Sequence, residues 1–186
     1  DIDHCSSVTY QKTSGSFAAN GCGGAAGTYT NTWIATDACN NSSAVFTQII
    51  TINDTDAPTW VTTDGSLNKT IECSDTAALA SAQALEPVFS DNSGNATMIK
   101  TSGNFVPSGC GASGSYTNTW SAKDACGNTS VTFTQTITLQ DTTAPVWNSA
   151  PGSLDQTVQA GNQQALDNAM ALAPIAIANC SSVTYQ

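Results

Sequence analysis

Along residues 132–139, threonines alternate with a second set of mostly apolar residues, so the pattern has a period of two. The positions of one face are Phe133, Gln135, Ile137 and Leu139, and threonine occupies the positions between them. This alternation predicts a β-strand with one face on a core and the other in solvent. The same pattern predicts an earlier strand whose inward positions are Phe46, Gln48, Ile50 and Ile52.

Further strands are predicted at Tyr116–Ala122, with Tyr116 and Trp120 on one face, and at the shorter segments 70–73 and 96–100. Residues 74–86 break the pattern because they are rich in alanine and leucine. Ser74 or Asp75 supplies an N-cap and Pro87 a stop, so a short helix is expected there. Residues 162–173 repeat this design.

An internal repeat decides the predicted architecture. The segment Tyr29–Trp60 recurs as Tyr116–Trp147 at an offset of 87 residues, and Cys5–Gln11 recurs as Cys180–Gln186 at an offset of 175. Two variants of one module therefore alternate. The expected organisation is the C-terminal part of a first module at 1–56, a complete module at 57–143, and the N-terminal part of a third at 144–186.

The predicted fold class is all-β, with tandem immunoglobulin-like β-sandwich modules of about 87 residues that each carry a short helix between early strands. Trp33 and Trp120 lie mid-strand and are expected in the core. Trp60 and Trp147 follow a proline and are expected to pack at the module junctions.

The charge balance excludes several classes of partner. Fourteen acidic residues against four lysines and no arginine give a net charge of −10. Nucleic acids and anionic membrane surfaces both require clustered cations. No apolar run reaches membrane-spanning length, so no membrane insertion is expected in this segment.

Seven cysteines in 186 residues indicate an oxidising, extracellular compartment. Cys110 and Cys126 flank the Tyr116 strand, and Cys22 and Cys39 flank its counterpart. The bridges Cys22–Cys39 and Cys110–Cys126 are therefore predicted. The remaining three are expected to be unpaired within their own modules, either as buried free thiols or as inter-module or inter-chain crosslinks; they are Cys5, Cys73 and Cys180.

The repeated pattern TWxAxDACxN, then FTQxIT, then DTxAP resembles hyalin-repeat (HYR-like) modules, and the resemblance covers essentially the whole chain. Such modules occur in giant bacterial surface adhesins, notably those of gliding bacteria that use type IX secretion. The resemblance implies an immunoglobulin-like sandwich, a cell-surface location and an adhesive or stalk role.

Acidic residues near the junctions suggest a metal site. Residues 53–58, NDTDAP, resemble the calcium-binding linker of cadherins, and calcium prefers several carboxylate and carbonyl oxygens. Asp54 and Asp56, with Asp91 from a loop, are the candidate ligands; no other cofactor is expected. The alternative is that these aspartates are turn and capping residues.

Asp37 and Asp124, in the Asp-Ala-Cys turns, are expected to accept hydrogen bonds from nearby backbone amides. Thr76 and Thr142 follow an aspartate in triplets that resemble bacterial O-glycosylation acceptors.

The expected function is a non-enzymatic structural and adhesive segment of a long bacterial cell-surface adhesin or stalk. No nucleophile, base or cofactor motif is present, and the single histidine has no repeat equivalent. The expected partners are neighbouring modules of the same chain and surface glycans or proteins. The alternatives are a glycan- or protein-binding module and a subunit of a laterally associating extracellular filament.

Overall fold

The structure is a computed structural model that describes residues 7–109 and 111–184. Contacts divide the chain into two compact units. The first contains the described residues up to 63 together with 87–100 and 120–133, and the second contains those in 64–86, 101–119 and from 134 onward. These units do not follow the sequence repeat, and the module boundaries at 56/57 and 143/144 stay predictions.

Strands dominate the described residues. The strands before residue 57 are β1 (Val8–Ser14), β2 (Ala18–Gly21), β3 (Ala26–Asp37) and β4 (Phe46–Ile52). The next elements are β5 (Thr59–Trp60), β6 (Lys69–Glu72), α1 (Thr76–Gln83), β7 (Phe89–Ser90), β8 (Ala96–Ser102), β9 (Val106–Pro107), β10 (Gly114–Asp124) and β11 (Phe133–Gln140). The last are β12 (Val146–Trp147), α2 (Gln163–Met170) and β13 (Ala176–Ile177). The prediction of an all-β sandwich fold with short helices is confirmed.

The long strand β3 is the centre of the first sheet. It pairs antiparallel with β4 along one edge and with β1 and β2 along the other. Lys12 lies over the Trp33 ring, 5.3 Å from its centroid. Asn31 donates a hydrogen bond to the Gln48 side chain at 3.0 Å, which ties β3 to β4.

The second sheet repeats this arrangement and adds a strand. Its order is β6-β11-β10-β8, with β9 also on β10, and β6 runs parallel to β11. Lys100 lies over Trp120 as Lys12 lies over Trp33. Phe133, Gln135, Ile137 and Leu139 are buried, and threonine positions between them face outward, as the alternation predicts.

Two short segments cover the buried face of β10 and β11. Trp60, on β5, which pairs antiparallel with β7, packs 5.4 Å from the Phe133 ring and donates its indole N–H to the Val131 carbonyl at 2.7 Å. Helix α1 contributes Ala82 to a cluster with Ile137 and Leu139. Trp60 therefore packs against the complete module's own sheet, and its expected place at a module junction is wrong.

Gln135 connects the sheet to α1 by hydrogen bonds. Its side chain is fully buried, and its amide donates to the carbonyls of Leu67, at 2.9 Å, and Ala82, at 3.0 Å. Its carbonyl oxygen accepts from Asn118 at 2.9 Å. A polar residue is tolerated in this core because its hydrogen-bonding groups are satisfied.

Both helices begin as predicted. The Asp75 carboxylate accepts from the Ala78 amide at 2.8 Å, and the Asn162 side chain accepts from Ala165 at 3.0 Å. Each cap satisfies an amide at a helix N-terminus that has no partner within the helix. Within residues 7–109 and 111–184, no helix has the length and apolar character needed to cross a membrane.

The side chains of the first sheet are less buried than the sequence pattern predicts. Phe46 is 68% exposed and Ile50 43%, whereas their repeat equivalents Phe133 and Ile137 are 2% and 0% exposed. The strand forms as expected, but the positions predicted to point inward, which are Phe46, Gln48, Ile50 and Ile52, are all exposed. In the second sheet, burial is produced by Trp60 and α1, and the first sheet has no such layer among the described residues.

The hydrogen bonds of Gln135 give a test with a matched control. Replacing Gln135 with leucine leaves the Leu67 and Ala82 carbonyls and the Asn118 amide without their partner. We expect a loss of about 2–4 kcal/mol in the free energy of unfolding, measured by urea denaturation. Gln48→Leu removes the same side chain from an exposed position and loses one hydrogen bond, from Asn31, so we expect a smaller loss of about 1 kcal/mol. Equal losses in the two variants would show that burial of Gln135 does not matter.

Candidate functional site

Two disulfides link consecutive predicted modules. Cys22 bonds Cys126 across 104 residues, and Cys73 bonds Cys180 across 107 residues. Each bond lies within one compact unit. Because Cys73 lies between Cys22 and Cys126 in sequence, and Cys180 lies beyond both, the two bonds interleave along the chain.

The predicted Cys22–Cys39 bridge is wrong, and the reason is strand length. Cys22 lies before β3 and Cys39 lies after it, and β3 has 12 residues. At about 3.3 Å per residue, a strand of this length separates its ends by roughly 36 Å. A disulfide needs Cα atoms within about 7 Å. Two cysteines that flank one strand therefore cannot pair with each other.

The other cysteine predictions have different outcomes. The Cys110–Cys126 bridge is wrong because Cys126 bonds Cys22. Cys73 and Cys180 are not free thiols, and of the two alternatives the inter-module crosslink is the one observed. Cys39 is an exposed free thiol rather than half of a bridge. Cys5 and Cys110 themselves lie outside the described residues.

Cys126 lies in a turn that is closed by hydrogen bonds to the Asp124 carboxylate. The Asp124 carboxylate accepts from the Asn128 backbone amide and from the Asn128 side chain, both at 2.7 Å. Burial alone would raise the pKa of Asp124, but the hydrogen bonds from Asn128 outweigh it and the pKa is lowered. Asp37 accepts the same two bonds from Asn41, and the Asn41 side chain is the main cause of its lowered pKa.

The expected Asx-type turns are thus confirmed. Their asparagine partners were not predicted, although the spacing Asp-x-x-x-Asn occurs at both turns and is a usable signal. Asn128 also donates to the Asp54 carbonyl at 3.2 Å. The turn that carries Cys126 is therefore tied to the predicted linker 53–58.

The two aspartates of the predicted linker 53–58 accept hydrogen bonds from one asparagine side chain. Asn92 donates to the Asp54 carboxylate at 3.1 Å and to the Asp56 carboxylate at 3.3 Å. Asp91 accepts from the Ser93 amide at 3.0 Å and from the Ser93 hydroxyl. One oxygen of each of these three carboxylates therefore accepts hydrogen bonds from the protein.

The structure brings together a different set of candidate calcium ligands from the predicted one. Among the described residues, ligand atoms of Asp54, Asp124 and Cys126 converge within 4.8 Å, and neither Asp56 nor Asp91 belongs to that group. The Cys126 sulfur is in a disulfide and is not available as a thiolate. One oxygen of Asp54 is buried without a hydrogen bond. Two carboxylates fall short of the six to eight oxygens that calcium takes, so a calcium site stays a prediction.

The second disulfide lies beside a different carboxylate. Glu72 accepts hydrogen bonds from the Thr142 hydroxyl at 2.6 Å, the Thr143 hydroxyl at 3.1 Å and the Asn179 amide at 3.2 Å. The Thr142 hydroxyl is the main cause of the lowered pKa of Glu72. Glu72 thus connects the strand next to Cys73 with residues on both sides of the predicted boundary at 143/144.

Both predicted glycosylation residues are exposed. Thr76 is the first residue of α1, and Thr142 donates its hydroxyl to Glu72. A glycan on Thr142 would remove this donor. Modification of either residue stays a prediction.

A comparison with known proteins finds a similarity to a hyalin protein, which agrees with the resemblance of the repeated sequence pattern to hyalin repeats. The chain is 34% identical over 138 residues to the protein hyalin of Strongylocentrotus purpuratus. The aligned part is 73% of this chain but only 11% of hyalin, so the chain spans about a tenth of that relative. No protein-family model and no solved structure matches the chain.

These findings support a hyalin-repeat-like relationship. The two disulfides point in the same direction, because such bonds form and persist in oxidising, extracellular surroundings. Together they indicate an extracellular protein.

The disulfide connectivity is open to a direct test. Proteolysis without reduction, followed by mass spectrometry, is expected to yield peptides that link Cys22 to Cys126 and Cys73 to Cys180. Cys39 should react with a thiol-specific alkylating reagent in the folded protein because its thiol is exposed. A peptide that links Cys22 to Cys39 would contradict the structure.

Glu72 predicts a pH dependence of stability. Its pKa is lowered from 4.5 in the folded protein, so the unfolded state binds more protons as the pH falls through that range. Its stabilising contribution is present above about pH 4.5 and is lost as the pH falls through the folded value. In Glu72→Gln, the decline in unfolding free energy between pH 5 and pH 3 should be shallower, measured by urea denaturation. Asp155→Asn is the control, and an unchanged slope in Glu72→Gln would refute the assignment.

Proposed function

We propose that this chain is a non-enzymatic, load-bearing segment of a long extracellular adhesin, in which disulfides between consecutive modules resist extension. The interleaved pair Cys22–Cys126 and Cys73–Cys180 is the observation that carries the proposal. Repeat proteins act as extended rods whose reach grows with the number of modules. A rod under tension needs its neighbouring modules held together as well as each module folded.

Interleaving makes the two bonds redundant under tension. A chain pulled from its ends follows its shortest covalent path, and either bond alone shortens the path between residues 22 and 180. If one bond breaks, the other therefore keeps the shortest covalent path between residues 22 and 180 at nearly the same length. Each bond also removes chain entropy from the unfolded state, worth about 4–5 kcal/mol for a loop of about 100 residues in the loop-closure model.

The charge supports an extended and soluble rod. A net charge of −10 with four cations makes separate chains repel one another. The same composition offers little attraction to polyanions. Neighbouring modules of the same chain are the main partners in this proposal, and surface glycans or proteins are the partners for adhesion.

The setting we propose is the surface of a bacterium, as part of a giant gliding-motility adhesin exported by type IX secretion. The support for this setting is the resemblance of the TWxAxDACxN, FTQxIT and DTxAP pattern to such modules. The similarity to hyalin supports the broader role of an adhesive or structural extracellular repeat.

Single-molecule force spectroscopy tests the load-bearing role. In a background with the other cysteines replaced by serine, one variant carries Cys22→Ser with Cys126→Ser, another carries Cys73→Ser with Cys180→Ser, and a third carries all four changes. The replaced background residues are Cys5, Cys39 and Cys110. We expect each single-bond variant to reach nearly the same unfolded length as the two-bond protein.

The variant without either bond should be longer by the 107 residues that the Cys73–Cys180 bond encloses. At about 3.3–3.6 Å per residue this is an increment of about 350 Å. The comparison does not depend on folding of that variant, because the fully extended lengths are compared. An increment of this size after loss of one bond alone would refute the redundant, load-bearing arrangement.

A further inference from the structure

The outer face of the second sheet carries a regular set of hydroxyl groups. The alternation that buries Gln135 and Ile137 turns the threonines between and beside them outward, and neighbouring strands place hydroxyl residues on the same face. All of these residues lie in the second compact unit. We call this set the hydroxyl grid, and its members are Thr70, Thr101, Ser115, Thr117, Thr119, Thr134, Thr136 and Thr138.

The central strands of the grid are β10 and β11. An asparagine–glutamine hydrogen bond joins these strands, and the equivalent bond joins β3 to β4, so both pairs of strands have the same register. A hydroxyl residue of β10 therefore lies beside a threonine of β11 at three successive positions of the outer face. The three pairs are Thr119–Thr134, Thr117–Thr136 and Ser115–Thr138.

The flanking strands extend two of these rows. β6 runs parallel to β11 and places Thr70 beside Thr138. On the other side, β8 approaches β10 as β1 approaches β3, with the glycine after β8 against the Thr117 carbonyl, and this register places Thr101 beside Thr119. Neighbouring strands lie about 4.8 Å apart and alternate residues of a strand about 6.6 Å apart, so the hydroxyls repeat in two directions.

The protein does not use these hydroxyls itself. Among residues 7–109 and 111–184, no side-chain hydrogen bond involves a hydroxyl of the grid, whereas Thr142 and Thr143, which follow β11, both donate to Glu72. All members except Ser115 are threonines, whose branched side chains have few rotamers in a strand. The hydroxyl and methyl groups are therefore already ordered, and little side-chain entropy is lost when another surface meets them.

The grid carries no charge and no aromatic ring. The chain has fourteen acidic residues and a net charge of −10, yet no acid is a member of the grid. Glu72 lies on the same side of β6 as Thr70, but its carboxylate accepts hydrogen bonds from Thr142 and Thr143. A charged surface finds no complementary charge on the grid, and a sugar ring finds no aromatic face on which to stack. The surface that fits is neutral, forms hydrogen bonds and repeats in two directions.

We propose that the hydroxyl grid binds the surface of ice, which is a neutral lattice of hydrogen-bonded water. Each hydroxyl holds a water molecule, and the threonine methyl groups lie between these waters and offer them no competing partner. Water held in this way repeats with the spacing of the strands and residues, and it joins the crystal as the lattice grows. Charged side chains would instead orient water around themselves, so the binding face has to be neutral.

This inference goes beyond the load-bearing role and does not rest on it. The disulfides act within the chain under tension, whereas the grid lies on the outer face of one sheet. Failure of either proposal leaves the other unaffected. In an array, each module of this kind contributes one grid, and several grids bind one crystal more tightly than a single grid does, because every binding event after the first is intramolecular.

Ice-affinity partitioning of the full chain tests the proposal. A dilute solution is frozen slowly from one side, and the protein concentrations in the ice and in the remaining liquid are compared. We expect the parent protein to be enriched in the ice. Thr136→Lys places a charge at the centre of the grid and should leave the protein in the liquid. Thr136→Ser keeps the hydroxyl and should still enter the ice.

The matched control is Thr157→Lys, which makes the same change at an exposed threonine outside the grid and should partition as the parent does. Thr134→Lys, at an exposed position of the same strand, is a second variant that should stay in the liquid. Far-UV circular dichroism checks that each variant is folded, so the result does not depend on how well one substitution is tolerated.

Three outcomes would overturn the proposal. A parent protein that stays in the liquid shows that the grid does not bind ice, and its co-sedimentation with insoluble cellulose would identify a neutral polysaccharide as the occupant instead. Entry of folded Thr136→Lys and Thr134→Lys into the ice at the level of the parent shows that another surface binds. A loss in Thr157→Lys as large as in Thr136→Lys shows that net charge, rather than the grid, controls partitioning.

Discussion

The structure depends on covering one apolar sheet face. Strands β10 and β11 present Trp120, Phe133 and Ile137 on the same side, and these residues are buried only because Trp60 and α1 lie over them. The cover is small: the two-residue strand β5 and the eight-residue helix α1. A buried glutamine fastens it with hydrogen bonds that also select its position, since an unmatched polar group in this core is costly. The equivalent face of β3 and β4 has no such cover among residues 7–109 and 111–184, and Phe46 and Ile50 on it are exposed although the sequence is nearly the same.

Local features of the fold were predictable because their causes are local. Alternation along residues 132–139 predicted β11 and its buried face, and Asp75 predicted the start of α1. The exposure of Phe46 was not predictable from alternation, because a periodic pattern identifies which face is apolar but does not identify what covers it. The place of Trp60 was missed for the same reason: its partner, Phe133, is far away in the chain.

The disulfides were also hard to predict because they join residues that are far apart in the sequence. Cysteine spacing does not determine connectivity, and short loops were a natural but wrong choice. The length of β3 already excluded Cys22–Cys39, because cysteines at opposite ends of one strand are separated by its full length. Pairing between predicted modules places Cys22 beside the turn of Asp124, and Cys180 beside Cys73 and Glu72. Carboxylates near both bonds accept hydrogen bonds from asparagines and threonines, so their charges are stabilised without cations.

Covalent and non-covalent contacts have different roles in such a chain. In the proposed load-bearing role, the two disulfides resist tension because they shorten the covalent path, and their interleaving lets either bond replace the other. The cover over a sheet face is held by packing and hydrogen bonds, which form and dissociate reversibly. Side-by-side contact of chains that each carry a charge of −10 is opposed by repulsion.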